Sequence, residues 1–149
     1  MKRLILSIFT MAFPILASAQ LSGYLYEGTT SSSQEDVTFT LKVFCNDKRI
    51  IDQQANLAAI RCVIFNGVPG TRFSKPLLTE GEATMMQEYP GYFDDLYNNR
   101  WTDFVKECKM MTKFKKSGDK KSTIYEVTVK ASMLRKDLEN KNIKRKLGI

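Results

Sequence analysis

The chain has 149 residues, of which 43% are hydrophobic and 26% are charged, and its formal net charge is +7. This composition predicts one globular domain and excludes two full-sized domains, general disorder and collagen-like sequence. The chain contains three cysteines and no histidine. The missing histidine excludes Ser-His-Asp and Cys-His nucleophiles and the common histidine-containing zinc sites.

Residues 1–19 have the pattern of a secretory signal peptide. Two basic residues precede an apolar stretch over residues 4–16, and a small-residue motif predicts cleavage between Ala19 and Gln20. The apolar stretch is shorter than the about 20 residues that span a bilayer, although an uncleaved anchor is the alternative. Cleavage removes two positive charges and leaves +5. We expect a periplasmic or extracellular protein that has no transmembrane segment in the mature chain and that can associate with a membrane through a partner.

The first part of the mature chain predicts a polar segment followed by a strand and a helix. Residues 20–36 are rich in Gly, Ser and Thr and predict a flexible N-terminal segment, with at most a short edge strand over 24–26. Residues 37–45 alternate between apolar and polar side chains, as a strand with one buried face does. Asn46 and Asp47 can cap a helix that runs to about residue 59. The apolar side of the strand carries Val37, Phe39, Leu41, Val43 and Cys45.

The middle of the chain contains an ambiguous apolar run and a long connection. Residues 61–65 favour a buried central strand, but the same run also fits the end of the preceding helix. Residues 67–90 are rich in Gly and Pro and form a connection of the length that is often functional. A short helix is expected near residues 80–87.

The last third predicts the clearest helix and a hairpin. Apolar residues over 92–108 follow the i, i+3, i+4 spacing of an amphipathic helix. Strand-like runs over 110–116 and 123–132 flank a Ser-Gly-Asp turn, which is typical of a hairpin. Ser132 can cap a short final helix, and residues 141–149 form a basic tail.

This order of elements predicts an α+β protein. We expect a two-layer sandwich with a mixed sheet of four or five strands and helices on one face. The sandwich would occupy residues 37–140 as a single domain, between the flexible segment 20–36 and the tail 141–149.

Each of the three cysteines lies at an apolar position of its predicted element. We favour three small buried side chains, because free cysteine is among the most buried residue types. One internal disulfide with a leftover thiol, and a reactive or intermolecular thiol, are the alternatives in an oxidising compartment. No C-x-x-C motif supports thioredoxin-like exchange. The residues are Cys45, Cys62 and Cys108.

Two features resemble binding sites. A G-x-x-G loop over 67–71 has backbone N–H groups that can meet an anion, although a plain turn after a strand explains it as well. Tyr89 and Tyr92 precede the buried stripe of the long helix, so they are expected to be exposed, where a sugar or peptide can stack on them. Asp94 and Asp95 diverge by about 100° on a helix, which argues against paired catalytic carboxylates.

Charge is polarised along the chain. Residues 113–121 and 135–149 each carry +4, whereas residues 79–107 carry −5. A solvated surface, an acidic protein partner and anionic envelope lipid all fit the basic segments, and the export signal disfavours nucleic acid.

The sequence therefore favours a small exported non-enzymatic protein, without cofactor or metal, that acts through contacts in an envelope or extracellular assembly. A small-ligand or glycan-binding module is the alternative, followed by a carboxylate-dependent hydrolase. The candidate contact surface comprises Gly67, Pro69, Gly70, Arg72, Lys75, Tyr89, Tyr92, Lys113, Lys115, Lys116, Lys120, Lys121, Lys144, Arg145 and Lys146.

Overall fold

The computed structural model describes residues 23–144, so the predicted signal peptide and residues 145–149 of the tail lie outside the described residues. The elements in chain order are β1 (Tyr24–Ser32), β2 (Val37–Phe44), α1 (Ile51–Arg61), a π-helical turn (Cys62–Asn66), α2 (Glu82–Glu88), α3 (Pro90–Asp95), a second π-helical turn (Leu96–Arg100), α4 (Trp101–Phe104), β3 (Val105–Met110), β4 (Lys115–Ser117), β5 (Lys120–Val129) and α5 (Ala131–Asn140).

Five strands form one sheet in the order β1-β2-β5-β3, and β4 also pairs with β5. The predicted α+β class, with a five-stranded sheet and helices, is confirmed. Every described pairing is antiparallel, so the expected mixed sheet is wrong in this respect. The reason is that residues 61–65 are helical, so this segment supplies no strand that could enter the sheet in parallel.

The alternation in β2 produces the buried face as predicted. The apolar residues of β2 face the core opposite those of β5, in pairs such as Phe39 with Val127 and Leu41 with Tyr125. All four of these side chains are at most 1% exposed. Helix α1 packs across β2, β5 and β3 on this face. The periodicity of two thus fixes which side of the sheet the helices cover.

Strand β1 replaces most of the flexible segment that we expected over residues 20–36. It runs for nine residues along the outer edge of β2, with register shifts between Tyr26 and Gly28 and between Thr29 and Ser31. These irregularities break the alternation of apolar and polar side chains, so the sequence of β1 lacks the strand signal. Pairing with β2 therefore stabilises a strand conformation that the composition of this segment does not favour by itself.

The apolar run after α1 is helical, which is the alternative that periodicity left open. The π-helical turn Cys62–Asn66 continues α1, and a predicted central strand at 61–65 is therefore wrong. Cys62, Val63 and Ile64 are all buried, so this run lacks a polar stripe and resembles a buried strand. The predicted caps are wrong as well: α1 begins at Ile51, and Asp47 accepts the backbone N–H of Arg49 at 2.9 Å.

The long helix predicted over 92–108 ends earlier, at Phe104. Its first part is α3, the second π-helical turn and α4, with Phe93 and Leu96 fully buried. Residues 105–110 instead form β3 and pair with β5. Hydrogen bonding to the free edge of β5 outweighs the helical periodicity of this segment, since the ladder supplies backbone partners that a last helical turn lacks.

The predicted hairpin is confirmed as β4 and β5. Ser117 pairs with Lys120 across a two-residue loop, in which Gly118 has a φ of +64°. A positive φ is what such tight hairpin loops require. Helix α5 follows β5 directly, but Ser132 does not cap it, because its backbone N–H donates to Glu35 O at 2.9 Å and the N-cap is Lys130.

Candidate functional site

One face of the sheet lies opposite the helical layer, and we call it the open face. Alternation places on it the residues of each strand that point away from the buried positions. Thr38 and Thr128 pair across β2 and β5, with hydroxyl oxygens 2.9 Å apart. Their side chains are partly exposed, as are most of the other side chains that β2 and β5 place on the open face. The open face carries Leu25, Thr38, Thr40, Lys42, Phe44, Ile124, Glu126 and Thr128.

The end of the open face nearest the hairpin combines apolar and cationic side chains. Leu25, Lys42 and Ile124 form one row across three strands. Met111 extends that row, because its backbone N–H donates to Ile124 O at 2.7 Å. The Lys42 ammonium lies 5.6 Å from the centre of the Phe44 ring. We call these five residues the apolar–basic patch, and its two outer members, Leu25 and Met111, are 55% and 54% exposed.

The hairpin beyond this patch carries lysines on both of its faces. Lys116 pairs directly with Lys121, while Lys115 pairs with Ser122 on the opposite side. Lys120 shares the side of Lys115, since it pairs with Ser117. Lys113 precedes β4 and is exposed like the other four. The basic segment predicted over 113–121 is therefore one protruding structural unit.

The loop over 67–75 packs onto the β1–β2 end of the molecule. Thr29 donates through its hydroxyl to Pro69 O at 2.6 Å. Arg72 donates to Gln34 O at 3.0 Å, and its guanidinium lies 5.5 Å from the centre of the adjacent Phe73 ring. Inside the loop, Val68 donates to Phe73 O at 2.7 Å. These bonds tie the G-x-x-G loop to the fold as a turn, while Lys75 remains exposed.

Tyr89 and Tyr92 line a hollow at the other end of the helical layer. This hollow has a volume of about 350 Å³ and is also bounded by Arg100, Lys141 and Ile143. A second hollow of about 500 Å³ adjoins it and shares Tyr89 and Ile143. Neither hollow includes a residue of the 67–75 loop. The structure thus brings the two tyrosines together and leaves the loop apart from them.

The two tyrosines are both partly buried, and the Tyr89 hydroxyl interacts with the Glu88 carboxylate, whose charge raises the pKa of that phenol. Tyr92 donates through its hydroxyl to Asp137 at 2.7 Å, and Arg100 donates to the same carboxylate at 2.6 Å. Burial, followed by the Asp137 hydrogen bond, raises the pKa of Tyr92. The hollow therefore offers an aromatic wall and a preorganised Arg–Asp pair, which are groups that orient polar ligands.

Lys144 is the last described residue of the tail and serves the fold rather than a free surface. Its ammonium donates to Leu77 O, and its backbone N–H donates to Leu138 O at 3.2 Å. Arg145 and Lys146, the other predicted contact residues of the tail, lie outside the described residues.

Four of the seven acidic residues over 79–107 are held in pairs with bases or amides, namely Glu82, Asp94, Asp95 and Glu107. Glu82 accepts two bonds from Arg61, at 2.7 and 2.8 Å, and a third from the Tyr97 hydroxyl at 3.2 Å. Asp94 accepts from Asn98, and Asp95 from Asn99, each one helical turn later. These carboxylates bridge successive helical turns and join α1 to α2.

All three cysteines are free, with Cys45 and Cys62 buried and Cys108 partly exposed. Burial raises the pKa of the Cys62 thiol to about 12 and that of Cys108 to about 12. Since the thiolate is the reactive species, both side chains are poor nucleophiles near neutral pH. They pack as the small hydrophobic groups that the sequence favoured.

Among residues 23–144, no cluster of three or more acidic or cysteine side chains has the arrangement of a metal site. Over the same residues, no helix combines the length and the apolar character that crossing a bilayer requires. Comparison with known proteins finds no matching family model, no similar curated protein and no similar solved structure.

Sequence reasoning missed the apolar–basic patch. Leu25, Ile124 and Met111 come from three segments, and only the strand register brings them into one row. One signal was present: Phe44 breaks the polar side of β2 and follows Lys42 by two residues, so both lie on the face that alternation exposes.

Proposed function

We propose that this chain is a small exported, non-enzymatic protein that acts by contact within a cell-envelope or extracellular assembly. The observation that carries the proposal is the apolar–basic patch on the open face. Exposed apolar side chains clustered beside cations are typical of a surface that a partner covers. The signal-peptide pattern of residues 1–19 supports export, and the absence of histidine from the sequence disfavours general acid–base catalysis.

The patch fits a protein partner that presents an acidic group among apolar side chains. Leu25, Ile124 and Met111 would supply the buried area, and Lys42, between Leu25 and Ile124 in the row, would supply charge complementarity. Removing apolar area from water is the main source of affinity, whereas the charge contributes mostly to specificity and to the association rate.

Photo-crosslinking from Met111 tests this contact. With a photo-crosslinking amino acid at position 111 and the protein expressed in its own cells, we expect a discrete adduct of higher mass. Met133 on α5 is the matched control, because it is also a methionine and is 48% exposed, yet it lies on the helical side. The substitution Lys42→Glu in the Met111 variant is expected to reduce the adduct. Equal labelling from both positions, or none from either, would contradict the proposal.

A second candidate function is binding of a small polar ligand or glycan in the hollow beside Tyr89. Two observations favour it: the adjoining hollows share that ring, and the Arg100–Asp137 pair is fixed at the wall. An aromatic face with a preorganised ion pair is a common arrangement for holding a sugar ring.

Titration with a panel of mono- and disaccharides, followed by NMR, tests this second function. We expect shifts at residues lining the hollow, with affinity about fivefold weaker in Tyr89→Ala because a stacking contact of this kind contributes about 1 kcal/mol. Tyr89→Phe keeps the ring and is expected to bind as the unchanged protein does. The absence of any shift across the panel would remove this candidate.

A further inference from the structure

The hairpin over 113–121 carries positive charge that the rest of the described protein does not neutralise. None of its five lysines forms an ion pair with a carboxylate in residues 23–144. The neighbouring strand β3 differs, since Lys106 pairs with Asp36 and Lys109 with Glu107, each at 2.9 Å. What distinguishes the hairpin is density, because it concentrates five lysines without an ion pair within nine residues.

The pairing of β4 with β5 places two lysines opposite each other, which destabilises the hairpin. Lys116 lies directly opposite Lys121, and like charges facing each other across two strands destabilise the pairing. The contact of the Lys121 ammonium with the Phe114 ring, 5.7 Å from its centre, offsets part of this repulsion. An anionic partner would relieve the rest, because it would neutralise both members of the pair.

We infer that the hairpin over 113–121 binds the phosphate layer of an anionic lipid surface. The distribution of its charge distinguishes this partner from an acidic protein. Lys115 and Lys120 lie on one face of the hairpin, and Lys116 and Lys121 on the other. A protein docking on one side would meet only half of these lysines, whereas a hairpin inserted among headgroups meets phosphates on both sides.

The neighbouring residues suit this role. Phe114 is partly exposed at the base of the hairpin, where its ring holds the Lys121 ammonium within 5.7 Å of its centre. Met110, also exposed, lies on the opposite side of the sheet from the apolar–basic patch. The lipid contact therefore goes beyond the proposed protein contact and uses a different element. Both contacts can exist in one molecule, and either can be refuted without the other.

Vesicle co-sedimentation tests the inference, with the chain that begins at Gln20 and retains every described residue. We expect binding to phosphatidylcholine vesicles containing about one third phosphatidylglycerol and none to pure phosphatidylcholine. The triple variant Lys116→Gln, Lys120→Gln, Lys121→Gln is expected to bind roughly 100-fold more weakly, and added salt should weaken binding of the unchanged protein.

A second triple variant provides the control for net charge. Lys48→Gln, Lys75→Gln and Lys136→Gln remove the same charge from exposed positions elsewhere. This variant should bind within about threefold of the unchanged protein if headgroup contact is confined to the hairpin.

Equal loss in both variants, or no binding to the anionic vesicles, would overturn the inference. Binding to a polyglutamate peptide but not to the vesicles, with the same loss in the hairpin variant, would assign the hairpin to an acidic protein partner. That result would also overturn the inference. Thermal melting of each variant separates lost binding from lost folding, and none of these results bears on crosslinking from Met111.

Discussion

Replacing Gly67 with alanine is expected to destabilise the protein by more than about 3 kcal/mol, because Gly67 combines a special backbone conformation with a lack of space. Its φ is +77° and its ψ is 170°, a region that is essentially confined to glycine. An added Cβ would lie 2.4 Å from Ser74 O and 2.8 Å from two backbone carbonyl carbons. The backbone of the loop would therefore have to move.

Gly70 provides the matched control for this prediction. Its φ is +76°, almost the same as that of Gly67, but no atom lies within 4 Å of the position a Cβ would take. Gly70→Ala is therefore expected to cost only about 1 kcal/mol, from backbone conformation alone. Urea unfolding followed through the single tryptophan, Trp101, measures both variants. Equal losses would show that close packing around Gly67 contributes nothing.

The large effect at Gly67 would also explain the G-x-x-G pattern. Gly67 ends the π-helical turn and lets the chain fold back, so that Leu77 donates to Val63 O at 3.4 Å and Leu78 donates to Ile64 O at 2.9 Å. These bonds, together with the burial of both leucines, anchor the connection against the core. The glycine thus meets a steric need of the fold, and the pattern does not by itself indicate an anion site.

Unfolding in alkali is expected to begin above about pH 9 and to be complete near pH 11. Burial is the largest cause of a raised pKa at six groups: the thiols Cys62 and Cys108 and the phenols Tyr24, Tyr92, Tyr97 and Tyr125. In the unfolded chain the thiols titrate near pH 9.0 and the phenols near pH 10.0.

The direction of this effect follows from which state holds more protons. Below pH 9 both states are protonated, so the contribution of these groups to stability is fully present. As the pH rises, the unfolded chain ionises first, and each such group lowers the free energy of unfolding by about 1 kcal/mol per pH unit. With several groups acting together, the sum by pH 11 is comparable to the whole stability of a small domain.

Urea unfolding at a series of pH values between 7 and 11 measures this dependence. The slope of the free energy of unfolding against pH should become increasingly negative above pH 9. In Cys62→Ala, the slope should be smaller by one proton, although the variant is less stable at pH 7 because of the space it leaves. A free energy of unfolding that stays constant up to pH 11 would contradict the buried, protonated state of these groups.

The open face illustrates how far sequence reasoning reaches toward the candidate site. Period-two alternation in β2 correctly assigned Val37, Phe39, Leu41 and Val43 to the core, and by the same logic left Lys42 outside. The lysine-rich hairpin was also predictable, since its turn and flanking strands are local features. The patch was not, because Leu25 and Met111 reach it only through pairings with residues distant in the chain.

The errors in the helical part have a related cause. The segment 61–65 and the segment 105–108 both have apolar residues that suit either a strand or a helix. The first is helical because it continues α1 and buries Cys62, Val63 and Ile64, and the second is a strand because it pairs with the edge of β5. Neither neighbour is visible in a local window of sequence, so burial and edge pairing decided between conformations of similar intrinsic preference.

Composition and charge, with which the sequence was first described, determined the lack of histidine chemistry, while local periodicity and turn signals determined the α+β class and the basic hairpin as one segment. These properties depend on residue type and on spacing within about ten residues. Only the tertiary structure decided that β1 is a strand, that Tyr89 and Tyr92 share a hollow without the glycine loop, and that the lysines of the hairpin lie on both of its faces. These properties depend on register and packing between distant segments, which the free energy of the whole fold determines and no single segment contains.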